Sequence, residues 1–193
     1  YQDIWRNKEK AYSGERECEK RYAIIREFCS QYRRPFTALD IGSAEGYFCK
    51  RLVEDFNCTV IGIESDIVPD DLSDRVIWLH KHFTLDELKQ IAAVEHFDVV
   101  LALSVMHHFE GSPEERLKTF KALGDNLIFE LAYEDSACGG EQKKFPVPFD
   151  SELLGYGDSH LEDGGRREIR CLSAMKMALV KSYIGSPRVP EDL

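Results

Sequence analysis

The sequence predicts an α/β protein built on a mostly parallel sheet, and three features carry this prediction. Residues 36–66 have the pattern of a strand, a glycine turn, a helix and a second strand, which together form one βαβ unit. Residues 97–103 are nearly all apolar, as is typical of a strand covered on both faces. Two late stretches, 153–161 and 167–172, have the pattern of a closing antiparallel pair. We therefore expect a seven-stranded sheet with an antiparallel strand near the C-terminus.

Length and composition agree with one domain. The chain has 193 residues, of which 43% are hydrophobic and 31% charged, an ordinary balance for a globular protein with a substantial core. No apolar run approaches the ~20 residues that a membrane span needs. We expect residues 1–34 to form an N-terminal arm and helix covering the active site, and residues 35–193 to form the ligand-binding domain.

The charge is unevenly distributed. The net charge is −10, but residues 1–34 contain nine basic and six acidic side chains, whereas the rest of the chain contains 16 basic and 29 acidic ones. An acidic body is a poor general surface for nucleic acid, because non-specific binding needs a basic face. The basic arm is where an anionic group of a substrate would be met.

The cysteines indicate a reducing compartment. Six are scattered along the chain without a C-x-x-C pair, so neither a disulfide framework nor a zinc site is indicated. We expect them to be reduced and mostly buried, we expect no metal ion, and we expect the protein to be cytoplasmic.

The elements outside the βαβ unit follow from local signals. Residues 1–14 predict an extended or loosely helical arm, and apolar residues at helical spacing predict a helix from residue 15 toward Pro35. Residues 76–79 and 127–131 read as strands. Thr84 and Glu87 have the spacing of a capping box that starts a helix, and Ser112 followed by proline starts another. Residues 134–148 have the composition of a loop or lid.

The glycine turn indicates which ligand the sheet binds. Asp40, Gly42 and Gly46 form a D-x-G-x-x-x-G pattern, and Glu64 ends the next strand. A dinucleotide fingerprint would have three glycines in another spacing. An acid about 20 residues past such a turn accepts hydrogen bonds from ribose hydroxyls. The pattern resembles motif I of the class I S-adenosylmethionine (SAM) methyltransferases.

A wider resemblance covers nearly the whole chain. The sequence is similar to the methyltransferase domain of the bacterial O-antigen chain-terminating bifunctional kinase–methyltransferases, which methylate a terminal phosphate. The matching stretches are Tyr1-Gln2-x-Ile4, Arg16-x-Cys18-x-x-Arg21, Arg34-Pro35, Leu39-Asp40-x-Gly42, Gly46-x-Phe48, Val60-Ile61-Gly62-Ile63, Leu103-Ser104-Val105-x-His107-His108, Glu130-Leu131-Ala132 and Gly155-x-x-Asp158-x-His160-Leu161. More distantly, the chain resembles the RNA 5′-phosphate methyl-capping enzymes.

The resemblance implies a Rossmann-like class I methyltransferase fold, SAM as cofactor and polysaccharide biosynthesis as the setting. It implies these cofactor-binding residues: Asp40, Gly42, Ser43, Gly46, Phe48, Glu64, His82, Phe83, Leu103 and Ser104. His82 and Phe83 follow the third predicted strand, where this fold lays the adenine, although Phe83 is equally explained as a core residue. The partner is expected to be a small-molecule or glycan-phosphate acceptor, and a kinase domain or kinase partner is a further expectation.

The candidate catalytic residues are His107, His108, Arg16, Arg21 and His160. A phosphate oxygen is already anionic near neutral pH and needs only cations and donors to hold it, whereas a hydroxyl acceptor needs a base such as histidine. Adjacent histidines point in different directions, so one of the tandem pair is expected to be structural. The arginines, together with Arg167, suit an anion clamp, but each is also explained as a surface charge.

The sequence thus predicts a SAM-dependent O-methyltransferase that acts on a phosphate or hydroxyl of a glycan or related small molecule. Three alternatives stay open: a small-metabolite methyltransferase, an RNA 5′-end methyltransferase and a non-catalytic SAM-binding module. The last is favoured only if no acceptor pocket opens beside the methyl group.

Overall fold

The computed structural model describes residues 2–15, 18–67, 69, 75–130, 147–148, 150–158 and 166–173. The strands are β1 (Ile4–Arg6), β2 (Glu9–Tyr12), β3 (Thr37–Ile41), β4 (Thr59–Glu64), β5 (Val76–His80), β6 (Phe97–Leu103), β7 (Gly124–Glu130), β8 (Glu152–Asp158) and β9 (Arg166–Ser173). The helices are α1 (Glu19–Cys29), α2 (Tyr47–Phe56), α3 (Leu85–Val94) and α4 (Pro113–Ala122), with a short 3-10 helix, Met106–His108, after β6.

Seven of the strands in the described ranges form one sheet in the order β5-β4-β3-β6-β7-β9-β8. All neighbouring pairs are parallel except those made by β9, which runs antiparallel to both β7 and β8. The predicted fold class, a seven-stranded and mostly parallel sheet with an antiparallel strand near the C-terminus, is confirmed. The strand order switches between β3 and β6: β4 and β5 are added on one side of β3, whereas β6 and β7 are added on the other. Such a switch point is where open α/β sheets bind ligands.

The core lies on both faces of this sheet because side chains alternate along each strand. On β3, Ala38 packs into the cluster that contains α1 and α2, whereas Leu39 and Ile41 pack into the cluster with α3 and α4. The described cysteines, Cys18, Cys29, Cys49, Cys58 and Cys171, are all buried, as expected. No helix in the described ranges is long and apolar enough to cross a membrane.

The helix signals in the sequence are confirmed. The Thr84 side chain accepts the N–H of Glu87 while the Glu87 side chain accepts the Thr84 N–H, which is the predicted capping box at the start of α3. Ser112 caps α4 by accepting the N–H of Glu115. The predicted loop 134–148 lies almost wholly outside the described residues.

The N-terminal arm differs from the expected extended or loosely helical segment. It is a β-hairpin whose turn residues, Asn7 and Lys8, both have positive φ, 50° and 64°. Such turns match the twist of the two strands they join. The hairpin packs on α2: the Trp5 indole N–H donates to Glu54 at 2.6 Å, and the Arg51 guanidinium lies 4.0 Å from the Trp5 ring centre.

Candidate active site

A cavity of about 410 Å³ opens at the carboxyl ends of β3, β4 and β6, the switch point of the sheet. Predicted cofactor residues that line it are Gly42, Glu64, His82, Phe83, Leu103 and Ser104, and the predicted catalytic residue His108 lines it as well. These residues come from four separate segments of the sequence, and Gln2 contributes a fifth.

The glycine turn after β3 is closed by backbone hydrogen bonds and by the packing of two side chains. The N–H groups of Gly42 and Ser43 both donate to the carbonyl of Ile63, at 2.9 and 3.0 Å. Gly42 has φ +75°, and a Cβ there would lie 2.7 Å from Cγ2 of Val105. Any side chain at this position would therefore be strained and would displace Val105, which lines the same cavity.

Gly46 is required for a different reason. It has φ +74°, and a Cβ there would lie 2.2 Å from the indole of Trp78, so the ring fills the space that a side chain would need. Gly46 thus begins α2 behind the cavity wall rather than in it. The other predicted cofactor residues on this side, Ser43 and Phe48, are also buried behind the wall: the Ser43 hydroxyl donates to the Ile63 carbonyl at 3.3 Å, and Phe48 packs in the core.

The Glu64 carboxylate is a polar group of the cavity wall that backbone hydrogen bonds hold in place. Its Oε2 accepts the N–H of Ala44 at 2.8 Å, and its Oε1 accepts the N–H groups of Ser65 and Asp66 at 2.7 and 3.1 Å. Three backbone donors therefore fix the carboxylate at the end of β4. Its remaining lone pairs are available to vicinal hydroxyls, such as those of a ribose.

Asp40 lies beneath the turn, where its carboxyl group is 1% exposed and accepts a hydrogen bond from the Cys49 thiol at 3.2 Å. Burial raises the pKa of Asp40 to about 7. The thiol hydrogen bond opposes this rise, whereas the neighbouring Glu64 charge adds to it. Asp40 does not line the cavity, and its carboxyl group faces Cys49 of α2 instead.

His82 and Phe83 follow β5 and lie at the junction of the first cavity with a second one of about 450 Å³. Phe83 also packs against the core, and Lys81 Nζ lies 4.9 Å from its ring centre. Phe83 is thus both a core residue and a wall of the cavity. Its predicted contact with adenine stays a prediction.

The tandem histidines lie in the 3-10 helix after β6, anchored by the buried Met106. Their ring centres are 4.0 Å apart. His108 lines both cavities, whereas His107 lines neither. His160 and Arg16, also predicted as catalytic, lie outside the described residues.

Arg21 is buried, with 1% exposure, and its side chain is occupied by protein groups. Its Nε lies 3.1 Å from Oε1 of Glu130 in an ionic contact that is not an aligned hydrogen bond, and its Nη2 donates to the carbonyl of Asp158 at 2.9 Å. Arg167 Nη1 donates to the Ser104 hydroxyl at 2.8 Å. Both arginines are therefore buried and engaged with protein groups instead of forming a surface patch.

Gln2 is not among the predicted site residues, although it belongs to the stretch Tyr1-Gln2-x-Ile4 that carries the family resemblance. It lines the cavity, is 8% exposed, and its Oε1 is buried without a hydrogen-bond partner. Its neighbour Asp3 accepts the N–H of Gly14 at 2.9 Å, which anchors the start of the hairpin. A buried carbonyl oxygen without a donor favours a ligand that supplies one.

The family comparison identifies the class of enzyme. The family model described as a methyltransferase domain matches residues 13–170. The chain belongs to the methyltransferase domain family. This confirms the predicted enzyme class, a SAM-dependent methyltransferase, together with SAM as its cofactor. The cavity fits this cofactor in two observable respects: the Glu64 carboxylate is held at its wall by backbone N–H groups, and the Gln2 side-chain carbonyl is buried there without a partner.

Solved structures show the same methyltransferase fold. A co-crystal structure of WbdD with the kinase inhibitor LY294002 matches with a TM-score of 0.62 at 22% identity, over 83% of this chain and 42% of that one. A structure of the bifunctional kinase-methyltransferase WbdD matches with a TM-score of 0.58 at 20% identity, over 83% of this chain and 40% of that one. This methyltransferase thus spans about two-fifths of WbdD.

A methyltransferase of different specificity shares the fold less closely. The Burkholderia thailandensis 1,6-didemethyltoxoflavin-N1-methyltransferase, solved with 1,6-didemethyltoxoflavin and S-adenosylhomocysteine, matches with a TM-score of 0.51 at 16% identity, over 78% of this chain and 74% of that one. No curated protein sequence matches this chain. These likenesses establish the fold alone.

Proposed function

We propose that this methyltransferase transfers the methyl group of SAM to an oxygen atom of a phosphate or hydroxyl group on a glycan or related small molecule. The observation that carries the cofactor assignment is Glu64, whose carboxylate is held by three backbone N–H groups at the end of β4. It would accept the two ribose hydroxyls. Phe83 and His82 would line the adenine pocket on one side of Glu64. Gly42, Ser104 and Gln2 would line the pocket of the methionine part on the other side.

SAM supplies an electrophilic methyl group on a positively charged sulfur. The protein's task is to hold the acceptor oxygen in line with that bond at ~3 Å, since orientation provides much of the acceleration in such displacements. His108 is the predicted catalytic residue that lines the cavity, so we assign it the contact with the acceptor. His107, which packs against the His108 ring, would orient it.

The nature of the acceptor decides what His108 does. A hydroxyl must lose its proton as it attacks, so His108 would serve as base. A phosphate monoester has a second pKa of about 6 and arrives as an anion, so His108 would only donate a hydrogen bond. The resemblance to enzymes that methylate a phosphate favours the second reading, in which Arg16 is a further candidate donor. Arg21 already contacts Glu130 and the Asp158 carbonyl, which assigns it a supporting role.

We further propose that residues 1–34 cover the active site and that residues 35–193 form the SAM-binding domain. The position of Gln2 in the cavity wall and the docking of Trp5 on α2 support this division. Cytoplasmic polysaccharide biosynthesis, with a kinase domain or kinase partner supplying a phosphorylated acceptor, is the setting that the same proposal implies.

An acceptor screen tests the proposal. Formation of S-adenosylhomocysteine is measured with pairs of phosphorylated and unphosphorylated sugars and oligosaccharides, with free nucleotides and short 5′-phosphorylated RNAs in parallel. We expect turnover with a sugar phosphate and mass spectrometry showing a methyl group on oxygen. Turnover with RNA alone, or a methyl group on nitrogen, would contradict the proposal.

A further inference from the structure

Four buried polar side chains converge behind the cavity wall from α1, the end of β6, β7 and β9. These four, which we call the Glu130 cluster, are Arg21, Ser104, Glu130 and Arg167. The Ser104 hydroxyl donates to Oε2 of Glu130 and accepts from Nη1 of Arg167 at 2.8 Å. Oε1 of Glu130 faces Nε of Arg21 at 3.1 Å. Both oxygens of one buried carboxylate are therefore engaged, one through Ser104 and one by a guanidinium.

The fold makes room for this cluster at a glycine. A Cβ on Gly157 of β8 would lie 2.9 Å from Nε of Arg21 and 3.0 Å from Oε1 of Glu130. Any larger residue would therefore crowd both members of the pair. The close approach of the strand and the buried pair therefore belong to one arrangement.

Ser104 is the member of the cluster that also lines the cavity, and its backbone is unusual. Its φ is +56°, in the left-handed region that residues with a side chain rarely adopt. Glu130 holds it at two points, because the Ser104 N–H donates to the Glu130 carbonyl at 3.2 Å and the Ser104 hydroxyl donates to the Glu130 carboxylate. Such a conformation persists only where the surroundings impose it.

This conformation determines where the next residue lies. Val105 follows directly, lines the cavity and occupies the space that a Cβ on Gly42 would need, 2.7 Å from Cγ2. A chain of contacts thus joins the Glu130 carboxylate, through Ser104 and Val105, to the glycine turn. A change at Glu130 would be transmitted to the part of the cavity assigned to the methionine end of SAM.

We infer that Glu130 is a positioning residue for the cofactor site: it imposes the left-handed conformation of Ser104 and so sets the wall formed by Ser104 and Val105 against the glycine turn. Glu130 does not line the cavity and acts through Ser104. The inference rests on the assignment of this cavity to SAM. The simpler alternative is that the cluster only fastens α1 and β9 to the sheet.

Two substitutions of Ser104 distinguish these roles, with SAM affinity measured by titration calorimetry. Both variants lose the hydroxyl, but Ser104→Ala still needs positive φ whereas Ser104→Gly adopts it freely, so we expect Ser104→Ala to bind SAM at least ~10-fold more weakly than Ser104→Gly. If the cluster only fastens α1 and β9 to the sheet, the two variants should bind SAM equally well.

A double-mutant cycle tests Glu130 itself. Glu130→Gln should weaken SAM binding by about 10-fold or more in the wild type and by much less in the Ser104→Gly background, since the strain it supports is then absent. Ser112→Ala is the matched control: it removes a hydroxyl that caps α4 outside the cavity, and it should lower the melting temperature without changing SAM affinity.

The outcomes separate cleanly. Equal SAM affinity for Ser104→Ala and Ser104→Gly, or the same fold-loss from Glu130→Gln in both backgrounds, would overturn the positioning role. If Glu130→Gln does not fold, the comparison of the two Ser104 variants decides alone. A wild-type protein that fails to bind SAM would instead refute the assignment of the cavity.

Discussion

The Glu64 carboxylate accepts the backbone N–H of Ala44 at 2.8 Å, which ties the end of β4 to the glycine turn that follows β3. The two halves of the βαβ unit are therefore joined at the point where the cofactor is expected. The same carboxylate is the acceptor proposed for the ribose. Its replacement should affect both the shape of the turn and the contact with the ligand.

We predict that Glu64→Ala weakens SAM binding by about 10- to 100-fold, because a hydrogen bond to a charged group contributes roughly 1.5–3 kcal/mol. Titration calorimetry measures the loss. Glu95→Ala is the matched control, since Glu95 is exposed after α3 and does not line the cavity. Unchanged SAM affinity in Glu64→Ala would refute the ribose contact.

We predict that Gln2→Ala weakens ligand binding while leaving the fold intact. The Gln2 Oε1 has no protein partner to lose, so its removal should cost little stability. It should instead remove one hydrogen-bond acceptor that the protein offers to the ligand, which would weaken the binding free energy by about 0.5–1.5 kcal/mol. SAM affinity and the KM of the acceptor are measured separately to show which ligand is contacted. Tyr12→Ala, an exposed position on the same hairpin, is the control. A fall in melting temperature with no change in either constant would assign Gln2 a structural role instead.

We predict that Asp40 makes the protein less stable as the pH rises from about 4 to 7. The pKa of Asp40 is raised from 3.8 to about 7 in the folded state, so the folded state keeps a proton that the unfolded state loses across this interval. The free energy of unfolding therefore decreases with pH through that window and levels off above it, by a few kcal/mol at most.

Asp40→Asn should remove this contribution. Urea unfolding at several pH values between 4 and 8 should show the variant losing less stability than the wild type over the interval. Comparing the two proteins cancels the contributions of other groups, such as Glu87, whose pKa is lowered to about 2 by Lys81 and the Thr84 backbone. Parallel stability curves for the two proteins would show that Asp40 is ionised throughout.

We predict that His108→Gln distinguishes the two acceptor chemistries. With a hydroxyl acceptor, loss of the base should lower kcat by roughly 10²–10⁴-fold. With a phosphate acceptor, kcat should fall far less, and activity should rise with pH to a plateau above about pH 6–7 as the phosphate ionises. His96→Gln, an exposed histidine before β6, is the control. A large loss of kcat on a phosphorylated acceptor would contradict our preference for phosphate chemistry.

The sequence by itself determined the elements that depend on local patterns. Alternation and apolar runs predicted the strands of the sheet, Thr84 and Glu87 predicted the start of α3, and Ser112 predicted the start of α4. The spacing of Gly42 and Glu64 predicted that a turn and an acid would meet, because parallel strands carry their carboxyl ends to the same edge. These features need only neighbouring residues and the geometry of one βαβ unit.

Tertiary structure decided what each polar side chain touches. Arg21 was predicted as a clamp for an anionic acceptor, but folding places it against Glu130, a residue far along the chain. Gln2 lines the cavity on a segment whose neighbour Trp5 docks on α2, and the pKa of Asp40 is raised because folding buries its carboxyl group and brings the Glu64 charge near it. Burial and long-range pairing depend on how distant elements pack. The periodicity of a single segment does not specify which distant residues its side chains contact.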